Sequence, residues 1–182
     1  MLASLKIGEL CEKASTFFRI ARIKNKFNKK VSEFRNKVVV DISTHQIQSI
    51  TLIHTDQTVS LQRIPGQSDK WQMTAPEQRT AANGLKDLDV NGIVNTVKQF
   101  TIKEFTDKTP EQVGLTAPEF SLVAGLQDKT TITIDVSDQS QDNQRFVRIK
   151  GSTSPESLVY LVDEPKLGNI QKRASDITKT AP

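Results

Sequence analysis

Apolar residues at Phe17, Ile20, Ile23, Phe27, Val31, Phe34 and Val38 recur every three or four positions, the spacing of one helix face. Between them stand Arg19, Arg22, Lys24, Lys26, Lys29, Lys30, Arg35 and Lys37. Residues 1–38 therefore predict a long basic amphipathic N-terminal helix, with Asn25 or Asn28 as its weak point. From Val38 the period shortens to two. Ile47, Ile50 and Leu52 alternate with polar positions up to His54, Thr55-Asp56-Gln57 supplies a turn, and Val59 and Leu61 resume the alternation. Pro65-Gly66 and Ser68-Asp69 mark a second turn before Trp71 and Met73. Connections this short predict a three-stranded antiparallel meander from Ile47 to Pro76.

The helical period returns at Val90, Ile93, Val94 and Val97, with Asp87 or Asp89 as the expected cap of a helix over 87–99. Phe100, Ile102 and Phe105 suggest a short strand after it. Pro110-Glu111-Gln112 opens one helical turn that Gly114 stops. Four further strands are expected, at 120–125, 130–136, 144–150 and 157–162, with the hydrophilic run 137–144 as an exposed turn. In the second of them Ile132, Ile134 and Val136 alternate with Thr131, Thr133 and Asp135, giving one wet face. Asp163 then caps a last helix with Pro165 in its first turn, Leu167 and Ile170 face inward, and the tail 174–182 frays. This order gives an α+β class: mostly antiparallel sheet, in one or two sheets, packed with one or two helices and preceded by the basic arm. The domain bounds that follow are 1–38 for the arm, 39–173 for the α+β domain and 174–182 for the tail.

Charge sharpens that division. The 182-residue chain carries a net +4, but unevenly. Residues 1–38 hold ten Lys/Arg against three Glu, or +7, and residues 39–182 hold fifteen against eighteen acids, or −3. Any electrostatic partner is thus expected at the N-terminus. Apolar content of 36% and aromatic content of 5% predict a modest core. No run reaches the roughly 20 apolar residues of a bilayer-spanning helix, and Lys6, Glu9, Glu12 and Lys13 interrupt any secretory apolar region.

A basic amphipathic helix has three kinds of partner. Its phenylalanines enter the acyl boundary of an anionic membrane while its lysines meet headgroups, or its stripe docks in a protein groove, or its cations contact nucleic-acid phosphates. It also has a purely structural use, packing on the chain's own body. The residues expected to insert or dock are Phe17, Ile20, Phe27, Val31 and Phe34, with Arg19, Arg22, Lys24, Lys26, Lys29 and Lys30 supplying charge contacts.

The residue types that carry catalysis offer little. His45 and His54, near Asp41 and Asp56, match no metal-ligand spacing, and nine residues of straight strand separate the histidines by up to roughly 30 Å. Cys11 lies in the basic arm without a histidine partner for nucleophilic work, and a single cysteine allows no internal disulfide. Asp87 with Asp89, and Asp163 with Glu164, sit at helix starts, where the helix dipole accounts for them. Gly84 and Gly92 make no phosphate-binding fingerprint. Trp71 is expected to anchor the core or a sheet face. No enzyme, no cofactor and no small-molecule substrate are expected.

The words Ile50-Thr51-Leu52, Val59-Ser60-Leu61 and Trp71-Gln72-Met73-Thr74-Ala75-Pro76, followed by a helix, resemble the opening of the domain-of-unknown-function family 4340. Val113-Gly114-Leu115-Thr116-Ala117-Pro118 resembles its bend before a strand. Phe146-Val147-Arg148-Ile149 with Leu158-Val159-Tyr160-Leu161-Val162 resembles its closing strand pair. The likeness covers about residues 45–172. It implies a bacterial accessory protein of the gliding-motility or ABC-transporter kind, membrane-anchored, with no catalytic residues. The chain departs from that pattern in its arm, which is basic and amphipathic where a spanning helix is expected. The function expected is a non-enzymatic binding, scaffolding or assembly subunit, peripheral to a membrane. It would dock on a membrane-associated protein complex or an anionic lipid surface, with a nucleic-acid accessory protein as the alternative and an uncharacterised enzyme as a third reading.

Overall fold

Period-two alternation, repeated in strand after strand, builds one wide sheet in the computed structural model, which describes residues 37–67, 69–76, 84–151 and 155–179. The arm residues 1–36 lie outside the described residues, and so does the predicted N-terminal helix. Lys37–Pro182 forms a compact unit of its own.

The chain enters through β1 (Val38–Asp41) and a 3-10 turn (Thr44–Gln46) into β2 (Ile47–His54), β3 (Thr58–Arg63) and β4 (Trp71–Ala75). Helix α1 (Asp87–Lys98) runs directly into β5 (Gln99–Thr101) and β6 (Glu104–Thr106). Strands β7 (Phe120–Leu126), β8 (Thr131–Gln141), β9 (Gln144–Lys150) and β10 (Val159–Asp163) follow, and the short helices α2 (Glu164–Gly168) and α3 (Ala174–Ile177) close the order. Among the described residues eight strands form an antiparallel sheet in the order β4-β3-β2-β7-β8-β9-β10-β6, while β1 and β5 pair separately. The class is mostly antiparallel sheet with few helices, in keeping with α+β.

Two sheets had been one option; there is a single large one because β2 and β7 pair over seven registered positions from Ile47↔Leu126 to His54↔Phe120. On its inner face Ile50, Leu52, Val59, Leu61, Leu122, Ile134, Val147 and Tyr160 join Val90, Ile93, Val94 and Val97 of α1 in one buried cluster. Those four helical positions are all buried, so the stripe at i, i+3, i+4 and i+7 is the packed face. Trp71 is 8% exposed and belongs to this core, with the Arg63 guanidinium 4.6 Å from its ring centroid. Arg63 in turn donates to the Ile47 and Thr44 carbonyls at 2.9 and 2.8 Å, which ties β3 to the entrance of β2.

Several local expectations change. The helix cap is Lys86, without a side-chain capping bond, and Asp87 and Asp89 fall in the first turn. The expected strand at Phe100–Phe105 is two strands on different partners: β5 faces β1, β6 faces β10, and buried Ile102 lies between. The segment 110–114 forms hydrogen-bonded turns, closed by Leu115 N–H donating to the Pro110 carbonyl at 2.9 Å, and no helix. The exposed turn expected over 137–144 shrinks to Asp142-Asn143, with φ of 50° and 62°. Two residues in the left-handed region suit a two-residue hairpin, so β8 runs on to Gln141 through a bulge after Val136. The tail does not fray at Ala174: Ala174, Ile177 and Thr178 are buried, and Thr178 bridges to Leu85. Val38, counted as the last helical position of the arm, pairs with Thr101 in β1.

Candidate functional site

One row of paired residues crosses the outer face of the sheet: Thr58, Ile53, Ser121, Asp135, Arg148, Val159 and Thr106. The row changes character midway. On β2, β3, β4 and β7 the outer positions are Ser49, Thr51, Ile53, Thr58, Ser60, Gln62, Gln72, Thr74, Ser121 and Val123, none of them charged. On β9 and β10 they are Gln144, Phe146, Arg148, Lys150, Val159, Leu161 and Asp163. Val113 and Leu115, from the connection after β6, bury themselves against Phe146, Val159 and Leu161 as a second small core. This connection is a flap, and polar groups lock it down. Ser137 Oγ donates to the Val113 carbonyl, and Arg148 Nη2 donates to the Leu115 carbonyl at 2.8 Å.

At the junction of the two halves sits Asp135, its side chain 3% exposed. Ser121 Oγ donates to one carboxylate oxygen at 2.8 Å. The other oxygen receives Arg148 Nη2 at 2.9 Å and Lys150 Nζ at 2.8 Å. Burial alone would push this carboxyl up, but donors from Lys150, Ser121 and Arg148 outweigh it and hold the group below its ordinary value. One carboxylate thus sits between two cations whose side chains remain 17% and 38% exposed.

Those exposed portions line a cleft of about 660 Å³ between the flap, β9 and the turn before β10. Its walls include Thr106, Lys108, Thr109, Glu111, Glu156 and Leu158. Lys108 Nζ lies 4.5 Å from the Phe146 ring centroid, which fixes that cation over the flap's small core. Glu111 is held below its usual carboxyl value by its own backbone N–H and the Thr109 hydroxyl, with Arg148 adding attraction.

The eleven arm residues singled out by sequence, Phe17, Arg19, Ile20, Arg22, Lys24, Lys26, Phe27, Lys29, Lys30, Val31 and Phe34, lie outside the described residues, as does Cys11. His45 is exposed in the 3-10 turn, while His54 packs on Phe120 with ring centroids 4.9 Å apart and shares a hydrogen bond with the Lys172 carbonyl. The described residues contain no group of three or more His, Cys, Asp or Glu able to hold a metal. Asp87 pairs with Lys70 at 3.3 Å, Asp89 with Lys172 at 3.6 Å and Asp163 with Lys103 at 3.7 Å. The Asp135 cluster escaped the sequence reading, although a signal existed. Counting back from the Asp142-Asn143 hairpin would place Asp135 near Arg148, had the bulge been known.

No family model, curated protein or solved structure matches the chain. The resemblance to family 4340 rests on the sequence words quoted for it. No described helix is long and apolar enough to cross a membrane.

Proposed function

We propose that the protein is a non-enzymatic binding or assembly subunit, peripheral to a membrane, which docks through its basic arm on an anionic lipid surface or a membrane-embedded protein complex. The observation that carries this reading is the division of charge, +7 over residues 1–38 against −3 over the rest. A body of net negative charge is repelled by an anionic surface, so the arm alone has the sign for it. Its stripe of Phe17, Ile20, Phe27, Val31 and Phe34 adds an apolar contribution that phosphate contacts would not use. The likeness to family 4340 points the same way, toward membrane-linked accessory proteins without catalytic residues.

Flotation of the full chain and of residues 37–182 with anionic and neutral vesicles, at two salt concentrations, tests the proposal. The shorter chain begins where the compact unit begins. Binding of the full chain to anionic vesicles, partly retained at high salt and absent from 37–182, is expected. Duplex DNA or RNA as the sole ligand, with a steep salt slope, would instead make this a nucleic-acid accessory protein.

A further inference from the structure

We infer that the cleft beside the flap binds a short peptide segment bearing one carboxylate and a nearby cationic side chain. This inference makes no use of the arm, and its test does not depend on vesicle binding. The argument starts from the floor. Arg148 and Lys150 share the single carboxylate of Asp135, so the pair keeps one positive charge more than its buried partner neutralises. Lys150 is the more open of the two, at 38% exposure, and an ammonium offers three donors, one of which goes to Asp135. A carboxylate entering the cleft meets Lys150, with Lys108 on the adjoining wall. The lining also carries the opposite sign, since Asp107, Glu111 and Glu156 are exposed acids, with Glu156 Oε1 accepting from the Gly151 N–H at 3.4 Å.

That arrangement excludes a polyanion. A nucleic-acid strand or an anionic membrane reaching Lys150 would bring further negative charge against Glu111 and Glu156. It fits a ligand that offers one anion to Lys150 and one cation to the acids of the lining. The volume of about 660 Å³ exceeds that of a simple ion and lies in the range of pockets for drug-sized molecules and short peptides. Thr106 and Thr109 provide neutral hydrogen-bonding groups, and Leu158 provides an apolar wall. The flap that forms one side is pinned by Ser137 and Arg148 to two of its own carbonyls, so the cleft is already shaped before a ligand arrives.

The carboxylate could be an acidic side chain or a chain terminus, and the experiment separates the two. Backbone-amide NMR of the full chain is titrated with three N-acetylated hexapeptides that begin with lysine. One ends in aspartate and is amidated, one ends in alanine with a free terminus, and one ends in alanine and is amidated. Inorganic phosphate is the fourth titrant. Saturable shifts centred on Lys108, Lys150 and Glu156 are expected from one or both carboxylate peptides and not from the neutral one. Lys150→Gln, which keeps a hydrogen-bond donor for Asp135, should weaken that binding about tenfold or more. Glu156→Gln should leave the carboxylate requirement intact while erasing the preference for a lysine-bearing over a norleucine-bearing peptide. Absence of saturable shifts up to about 5 mM peptide, a concentration that would reveal even millimolar affinity, overturns the inference. So do equal responses to the neutral peptide, or phosphate binding that matches or exceeds the carboxylate peptides.

Discussion

The two halves of the outer sheet face obey the same alternation and meet different fates. From β4 to β7 the outward positions are uncharged and, apart from Ile53 and Val123, polar, and they stay partly or fully exposed. From β8 to β6 the same face carries Phe146, Val159 and Leu161, and the flap residues Val113 and Leu115 cover them. Apolar side chains on that second half had to be buried, and the connection between β6 and β7 does it. Where the cover ends, charged groups take over as Asp135, Arg148 and Lys150. The cleft opens on the covered half, between the flap, β9 and the turn before β10.

The largest effect is expected at the junction. Asp135→Asn would leave the mostly buried Arg148 without its carboxylate, while the more open Lys150 turns to solvent, at a cost of about 3 kcal/mol in urea unfolding. The same carboxyl also sets a pH response. Its folded-state value lies below the ordinary 3.8, so its contribution is complete above that value and disappears as pH falls through the lower, folded one. The stability difference between wild type and Asp135→Asn should therefore be flat near neutrality and shrink only below about pH 4. A difference that instead shrank between pH 6 and 8 would contradict the assignment of the effect to Asp135.

Next in size is the cover itself. Leu115→Ala empties a fully buried position between the flap and the sheet, with an expected loss of about 2–4 kcal/mol. Hydrogen exchange should quicken first in residues 107–118 and in β9. Uniform quickening across β2 and β3 as well would mean that the two halves do not behave as separate units. The smallest effect belongs to the open half. Thr51→Val should change stability by less than about 0.5 kcal/mol, because Thr51 faces outward with no cover among the described residues. A larger change in either direction would show that this half is covered after all.

Much of the fold was legible because alternation and helical spacing report burial directly. Trp71, the α1 stripe and Ile132, Ile134 and Val136 fell where their period put them. What was not legible depends on geometry beyond one strand. Asp142 and Asn143 read as part of a polar loop because nothing in composition separates a two-residue turn from the longer polar run around it. Ile177 sits in a polar C-terminal stretch, yet one buried isoleucine and the Leu85–Thr178 bridge suffice to dock it. The candidate site was hidden for the same reason. Asp135 looked like the polar partner in an alternating strand, and only the register with β9 sets two cations against it.

The pairing of β2 with β7 also has a consequence in time. His54 and Phe120, joined in the finished sheet, are 66 positions apart in the chain. At roughly 5–20 residues per second of synthesis, the first meander emerges several seconds before its central neighbour exists. During that interval β2, an interior strand of the mature sheet, is an outermost strand with unsatisfied backbone groups and a row of Ile50 and Leu52 beside them. Synonymous slowing of translation between Pro76 and Phe120 would lengthen the exposure of that edge.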